Sequence, residues 1–159
     1  MKKIFLALGL LLIWASVGLA ATAGTITQTL DTNFIESSRV SKVITFTCTA
    51  SVDAATYPAT ALSTDNYNAV KGYYLYKIVT NPGSTAPTDN WDMTITDGDG
   101  IDVLGGAGAN RHTTTSQMFA PLLTTGVYFA QPVIDNWTLN ISGNAVNSAG
   151  IVIKAIFVK

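Results

Sequence analysis

Charge is scarce in this chain: only 12% of its 159 residues are Asp, Glu, Lys or Arg, and it holds one cysteine and one histidine. A lone thiol, Cys48, cannot staple the chain to itself, so stability has to come from packing, sheet hydrogen bonds or oligomerisation. With His112 alone, a metal centre would have to be built from carboxylates. A hydrolytic triad would have to recruit His112 without the nucleophile-elbow signature that exposes a serine. No catalysis and no cofactor are expected. The cations are scattered along the sequence, which argues against a nucleic-acid partner, because phosphate binding needs a clustered basic surface. Disorder is excluded by an apolar fraction of 48%.

Long apolar runs are also missing, with one exception at the start. Lys2 and Lys3 precede an apolar run from Ile4 to Leu19, followed by small residues at Ala20, Ala21 and Ala23. That order is the one of a secretory signal peptide, with cleavage after Ala20 or Ala23. The expected organisation is a leader at 1–20 and a single domain at 21–159, exported and free of a membrane anchor once processed. Without Lys2 and Lys3, seven cations face ten anions, a net charge of −3.

The remaining residues carry the period of two. Trp91, Met93 and Ile95 alternate with Asp92, Thr94 and Thr96, and the turn Asp97-Gly98-Asp99-Gly100 ends the run. Ile44, Phe46 and Cys48 share one face of 40–50, which predicts a buried thiol. Trp137, Leu139 and Ile141 alternate in the same way. Further strands are expected at 24–30, 72–80, 118–123, 127–130 and 151–158, with a turn at Asn81-Pro82-Gly83. Residues 51–70 are the least determined, a long loop or a short helix around 59–62. Both faces of 151–158 are apolar, which suits either a strand buried on two sides or one that pairs across a subunit boundary. Seven or eight short strands separated by turn signals, with no convincing amphipathic helix, predict an all-β antiparallel sandwich of jelly-roll or immunoglobulin-like type.

Three groups of residues qualify as candidate sites. Asp97, Asp99 and Asp102 form an acidic loop of calcium-binding composition, although the helix-loop-helix spacing fails and turn chemistry explains the same residues. Gly105, Gly106 and Gly108, followed by Arg111 and His112, lack the lysine of a phosphate-binding loop, so a tightly turned surface loop is the better reading. Tyr73, Tyr74 and Tyr76 occupy both faces of one strand, so at least one is expected at a surface, where flat rings can stack on a sugar. Trp91 and Trp137 fall at core positions.

The blocks AGTITQTL (23–30), VSKVITFTCTA (40–50), APTDNWDMTITDGDGIDVLGGAGANR (86–111) and the closing NWTLNIS and AGIVIKAIFVK resemble a family of small tailed-phage and prophage proteins. These are carried as virion structural or uncharacterised proteins. The resemblance implies a β-rich domain that assembles on a particle, and no catalytic motif. The expected function is therefore a non-enzymatic structural protein, extracellular or virion-associated, that packs as a homo-oligomer or against other particle proteins. The alternative is a secreted module that recognises glycan or a cell-surface partner through Tyr73, Tyr74 or Tyr76 with Arg111 and His112.

Overall fold

A computed structural model describes residues 22–35 and 39–159; the leader at 1–20 and the cleavage position after Ala20 lie outside the described residues. Along the chain run β1 (Thr25–Ile35), β2 (Arg39–Thr49), β3 (Thr60–Ala61), α1 (Thr64–Val70), β4 (Tyr74–Pro82) and β5 (Asp92–Thr96). They are followed by β6 (Gln117–Phe119), β7 (Leu122–Thr124), β8 (Val127–Tyr128), β9 (Gln131–Pro132), β10 (Thr138–Ser142) and β11 (Gly150–Val158). One sheet has the order β1-β2-β11-β4-β6, with β9 also on β4; a second has the order β3-β10-β5; β7 and β8 form a separate hairpin. All pairings are antiparallel. The protein is an all-β, sandwich-like fold.

The alternating runs behave as their period requires. Ile44, Phe46 and Cys48 from β2 join Ile151, Ile153, Ala155 and Phe157 from β11 in one buried cluster. Met93 and Ile95 of β5, Leu139 and Ile141 of β10, and the indoles of Trp91 and Trp137 belong to the same cluster. Each fully buried aliphatic or aromatic side chain contributes roughly 1.5–3 kcal/mol. The Trp137 and Phe157 rings sit 6.2 Å apart in a tilted arrangement that suits their quadrupoles.

The two-sided apolarity of β11 resolves in favour of the sheet centre. Its ladders are filled by β2 on one side and β4 on the other, so it does not offer an edge for pairing across a subunit boundary. Its second face, with Val152, Ile156 and Val158, is half-buried beside neighbours such as Val43, the partner of Ile156.

Other expectations shift. Among the described residues there are eleven strands rather than seven or eight, because β3, β6, β7, β8 and β9 are only two or three residues long, too short to show a period. The helix starts beyond 59–62, where Ser63 caps α1 by accepting from Asn66 N at 3.2 Å. Residues 60 and 61 instead pair with β10. β4 runs through Asn81 and Pro82 to its end, so the turn expected there moves on to Gly83, whose N–H donates to Gly150 O at 2.7 Å. The single strand expected at 118–123 is split into β6 and β7 at Ala120-Pro121, where proline has no N–H for a ladder. No helix among the described residues is long and apolar enough to cross a membrane.

Gln28 of β1 ties the helix to the sheet. Its Nε2 donates to Ala61 O at 2.7 Å, and its Oε1 accepts from Ser63 N at 3.1 Å and from Asn66 Nδ2 at 3.0 Å. Asn66 is buried, so its amide depends on that acceptor. The Gln28→Ala variant is expected to lose about 2 kcal/mol, read from the shift of the urea midpoint.

Burial pushes the Cys48 thiol from 9.0 up to about 12. Burial, and then the charge of a Cys48 thiolate, pushes the Tyr57 phenol up as well; its O–H donates to Ala149 O at 3.0 Å. The unfolded thiol ionises near 9 while the folded one keeps its proton to about 12. Stability is therefore complete below the lower value and falls between the two, by up to about 1.4 kcal/mol per pH unit from this group. Urea midpoints measured across that alkaline range check the slope, and Cys48 should resist iodoacetamide until urea opens the fold.

Candidate functional site

The glycine-rich segment after β5 is built to lie flat against that strand. Met93 N donates to Gly108 O at 2.9 Å, Val103 N to Ile95 O at 2.8 Å, and Arg111 N to Trp91 O at 2.7 Å. A Cβ at Gly108 would sit 2.1 Å from Met93 O, and one at Gly105 would sit 2.1 Å from Leu122 O. Gly105 also holds a φ of +59°, which L side chains rarely adopt. These glycines are explained by close backbone approach, so they do not need a phosphate to account for them.

The acidic loop is occupied by its own backbone. Asp97 Oδ1 accepts from Asp99 N at 3.1 Å and Ile101 N at 2.8 Å. Asp102 Oδ1 accepts from Ile95 N at 3.2 Å and Leu104 N at 3.1 Å, and its Oδ2 from Gly106 N at 2.9 Å. Asp135 caps the turn from another loop, accepting from Gly98 N at 3.1 Å through Oδ2, while its buried Oδ1 has no hydrogen-bond partner. Among the described residues no three His, Cys, Asp or Glu side chains converge as a metal site would require. The loop does what turn chemistry asks of Asp and Gly.

His112 is likewise taken up by local structure. Its Nδ1 accepts from Thr114 N and Thr115 N at 3.0 Å each, and its backbone N–H donates to Gln117 Oε1 at 2.9 Å. In a hydrolytic triad Nδ1 carries the proton given to a carboxylate; here that nitrogen is an acceptor. Arg111 folds back on its own loop, with Nε and Nη2 donating to Ala109 O at 3.0 and 2.7 Å. Burial lowers its pKa, opposed by the charge of Asp92. Its guanidinium carbon lies 4.5 Å from the centroid of the Phe119 ring.

That contact leads to a cluster of exposed apolar side chains. β4 is bulged against β11: Ile156 pairs with Lys77 and Phe157 with Leu75, which leaves Tyr76 unpaired. On the opposite edge of β4, β6 covers Ile78 to Thr80 and β9 covers Tyr74 and Leu75, so Tyr76 and Lys77 lie in a gap between them. A groove of about 430 Å³ opens there, lined by Tyr76, Lys77, Met118, Phe119, Ala120 and Tyr128. Tyr76 is 53% exposed, Met118 64% and Tyr128 69%. Leu123, Val127 and Phe129, on or beside the β7–β8 hairpin, are exposed as well.

Of the sequence candidates, Tyr74 and Tyr76 reach solvent and Tyr76 enters the groove; Arg111 stands behind it through Phe119. Tyr73 does not take part, being partly buried with Lys42 Nζ 4.7 Å and Lys159 Nζ 5.6 Å from its ring. His112 is held in the loop before β6, away from the groove lining. Met118, Phe119, Tyr128 and their neighbours were missed as site residues. Their signal is present in residues 118–130, MFAPLLTTGVYFA, an apolar run with neither a two-residue nor a helical period, and hence no single face to bury.

Against protein-family models, curated proteins and solved structures, the chain finds no match.

Asp102→Ala removes the acceptor for three backbone N–H groups and is expected to cost about 3 kcal/mol. The loss should be the same in EDTA and in millimolar calcium, which thermal unfolding under both conditions checks.

Proposed function

We propose that the protein is a non-enzymatic structural component that docks onto other protein subunits through the apolar surface around the β6–β9 groove, outside the cell or on a phage-type particle. The observation that carries the proposal is the exposure of Tyr76, Met118 and Tyr128 around one groove, with Leu123, Val127 and Phe129 exposed nearby. Exposed apolar surface of this kind is costly in water and marks interaction sites, and aromatic and methionine side chains are the ones enriched at protein interfaces. Lys77 is the one charged side chain in the lining. A glycan site would need several polar groups to hold hydroxyls, which favours a protein partner. The signal-like N-terminus supplies the extracellular context, and the resemblance to tailed-phage structural proteins supplies the particle context.

The second reading, a secreted glycan-binding module, rests on the exposed rings of Tyr76 and Tyr128 beside Lys77, whose Nζ lies 5.9 Å from the Tyr76 centroid. It differs from the first in resting on the flat faces of the rings, with Lys77 as the charged group at hand for hydroxyls.

Density-gradient fractions of a producing culture, analysed by mass spectrometry, separate the two. Wild type should co-band with particle proteins at stoichiometric level. The Met118→Ser/Tyr128→Ser double variant should move at least tenfold toward the soluble fraction with an unchanged circular-dichroism spectrum. A wild-type chain found only in the soluble fraction, and retained on immobilised glycans in a Tyr76-dependent manner, would replace the first reading by the second.

A further inference from the structure

A β-sheet ends in rows of unpaired N–H and C=O groups, and natural edges are shortened, capped by proline, bent by bulges or covered by other chain segments. In this protein nearly every edge is closed in one of these ways. β5, at one end of the smaller sheet, is covered by the glycine-rich loop through Met93 N, Ile95 O and Trp91 O, and its Ile95 N–H is capped by Asp102. β3, at the other end, is two residues long. On the larger sheet, β6 has three residues and is followed within two positions by Pro121, and β9 has two residues, one of them Pro132.

β1 is the exception. It is eleven residues long and pairs with β2 alone, in a register that runs from Thr25↔Thr49 to Ile35↔Arg39 without a shift. It has no proline and no lysine, and its one charge is Asp31. The neighbouring 60–66 segment hydrogen-bonds to the Gln28 side chain, and among the described residues no backbone hydrogen bond reaches the outer row of β1. Ile26 and Leu30, on the core-facing side of β1, are only partly buried, as expected where a sheet lacks its next strand.

We infer that β1 pairs with β1 of a second copy of this chain, antiparallel about a two-fold axis perpendicular to the sheet, so that the two larger sheets become one. The choice of occupant follows from length. Head-to-tail addition of β1 to the β6 side of another copy offers three residues of ladder, whereas β1 against β1 offers up to eleven, roughly 35 Å of strand. An axis in this direction keeps faces in register, so the exposed face of β1, with Thr25, Thr27, Thr29 and Asp31, meets the same face of the partner; at full overlap Thr29 lies opposite Asp31, and a register shifted toward the N-terminus sets threonines opposite one another over a shorter ladder. Covering Ile26 and Leu30 adds apolar burial. The pairing stands on β1 alone and does not depend on the docking surface, which lies at the opposite side of the larger sheet; a dimer of this form presents two such surfaces at its two ends.

The test uses the full chain in the form its cells yield. Sedimentation velocity should give the mass of two copies for wild type. Thr27→Asp/Thr29→Asp, which sets carboxylates opposite Asp31 or opposite one another at exposed positions, should raise the dissociation constant at least tenfold with an unchanged circular-dichroism spectrum. Because Cys48 is buried, Thr27→Cys, Thr29→Cys and Asp31→Cys variants, alone and mixed in pairs, report the register by mild oxidation. One combination should cross-link most, with yields falling on either side. Wild type at the mass of one copy overturns the inference. So does a dimer that ignores the added carboxylates and gives no cross-link at these positions, or a cross-link from β1 to a different protein in place of itself.

Discussion

The rest of the structure depends on the two ladders of β11. This strand joins β2 to β4, carries four of the buried side chains of the core on one face, and keeps valine and isoleucine on the other where its neighbours half-cover them. With no disulfide and few charges, the protein has little else to hold its layers together; hydrophobic burial supplies the drive, and ladder hydrogen bonds keep the buried backbone satisfied. Inserting the most apolar strand in the middle of the sheet also removes it from solvent, so the segment with the greatest tendency to pair with other chains is the one whose ladders are already filled.

Polar side chains in this fold serve mainly to fasten the backbone. Asp97, Asp102 and Asp135 hold one side of the β5 region, His112 and Asp89 hold the loop that leads to β6, and Gln28 fastens α1. Residue types that elsewhere mark calcium loops or catalytic centres are here acceptors for N–H groups that irregular segments would otherwise leave unpaired. The exposed chemistry that remains is apolar and aromatic, and it gathers where the β4 ladder is interrupted.

Long alternating segments were legible because burial on one face imposes a period that residues such as Ile44, Phe46, Met93, Ile95, Leu139 and Ile141 cannot hide. The short strands were not, since two or three residues carry no period and are defined by what they happen to pair with, as β3 is by β10. The groove escaped for a related reason: Tyr76 and Lys77 are exposed because of a register shift against β11 and a gap between β6 and β9. Both are facts of distant pairing that no local pattern around residue 76 encodes. Ser63 followed by Thr64, Asp65 and Asn66 did hold the start of α1 in plain form, as a capping residue with an acidic first turn.

The position of β11 also has a meaning in time. Its partners β2 and β4 lie about 100 and about 70 residues before it in sequence, respectively, and it is the last strand among the described residues. Until it arrives, β2 and β4 have no common neighbour and the core lacks Ile151, Ile153, Ala155 and Phe157. Folding dominated by such distant pairings is slow, and the early part of the chain stays open while the rest is synthesised.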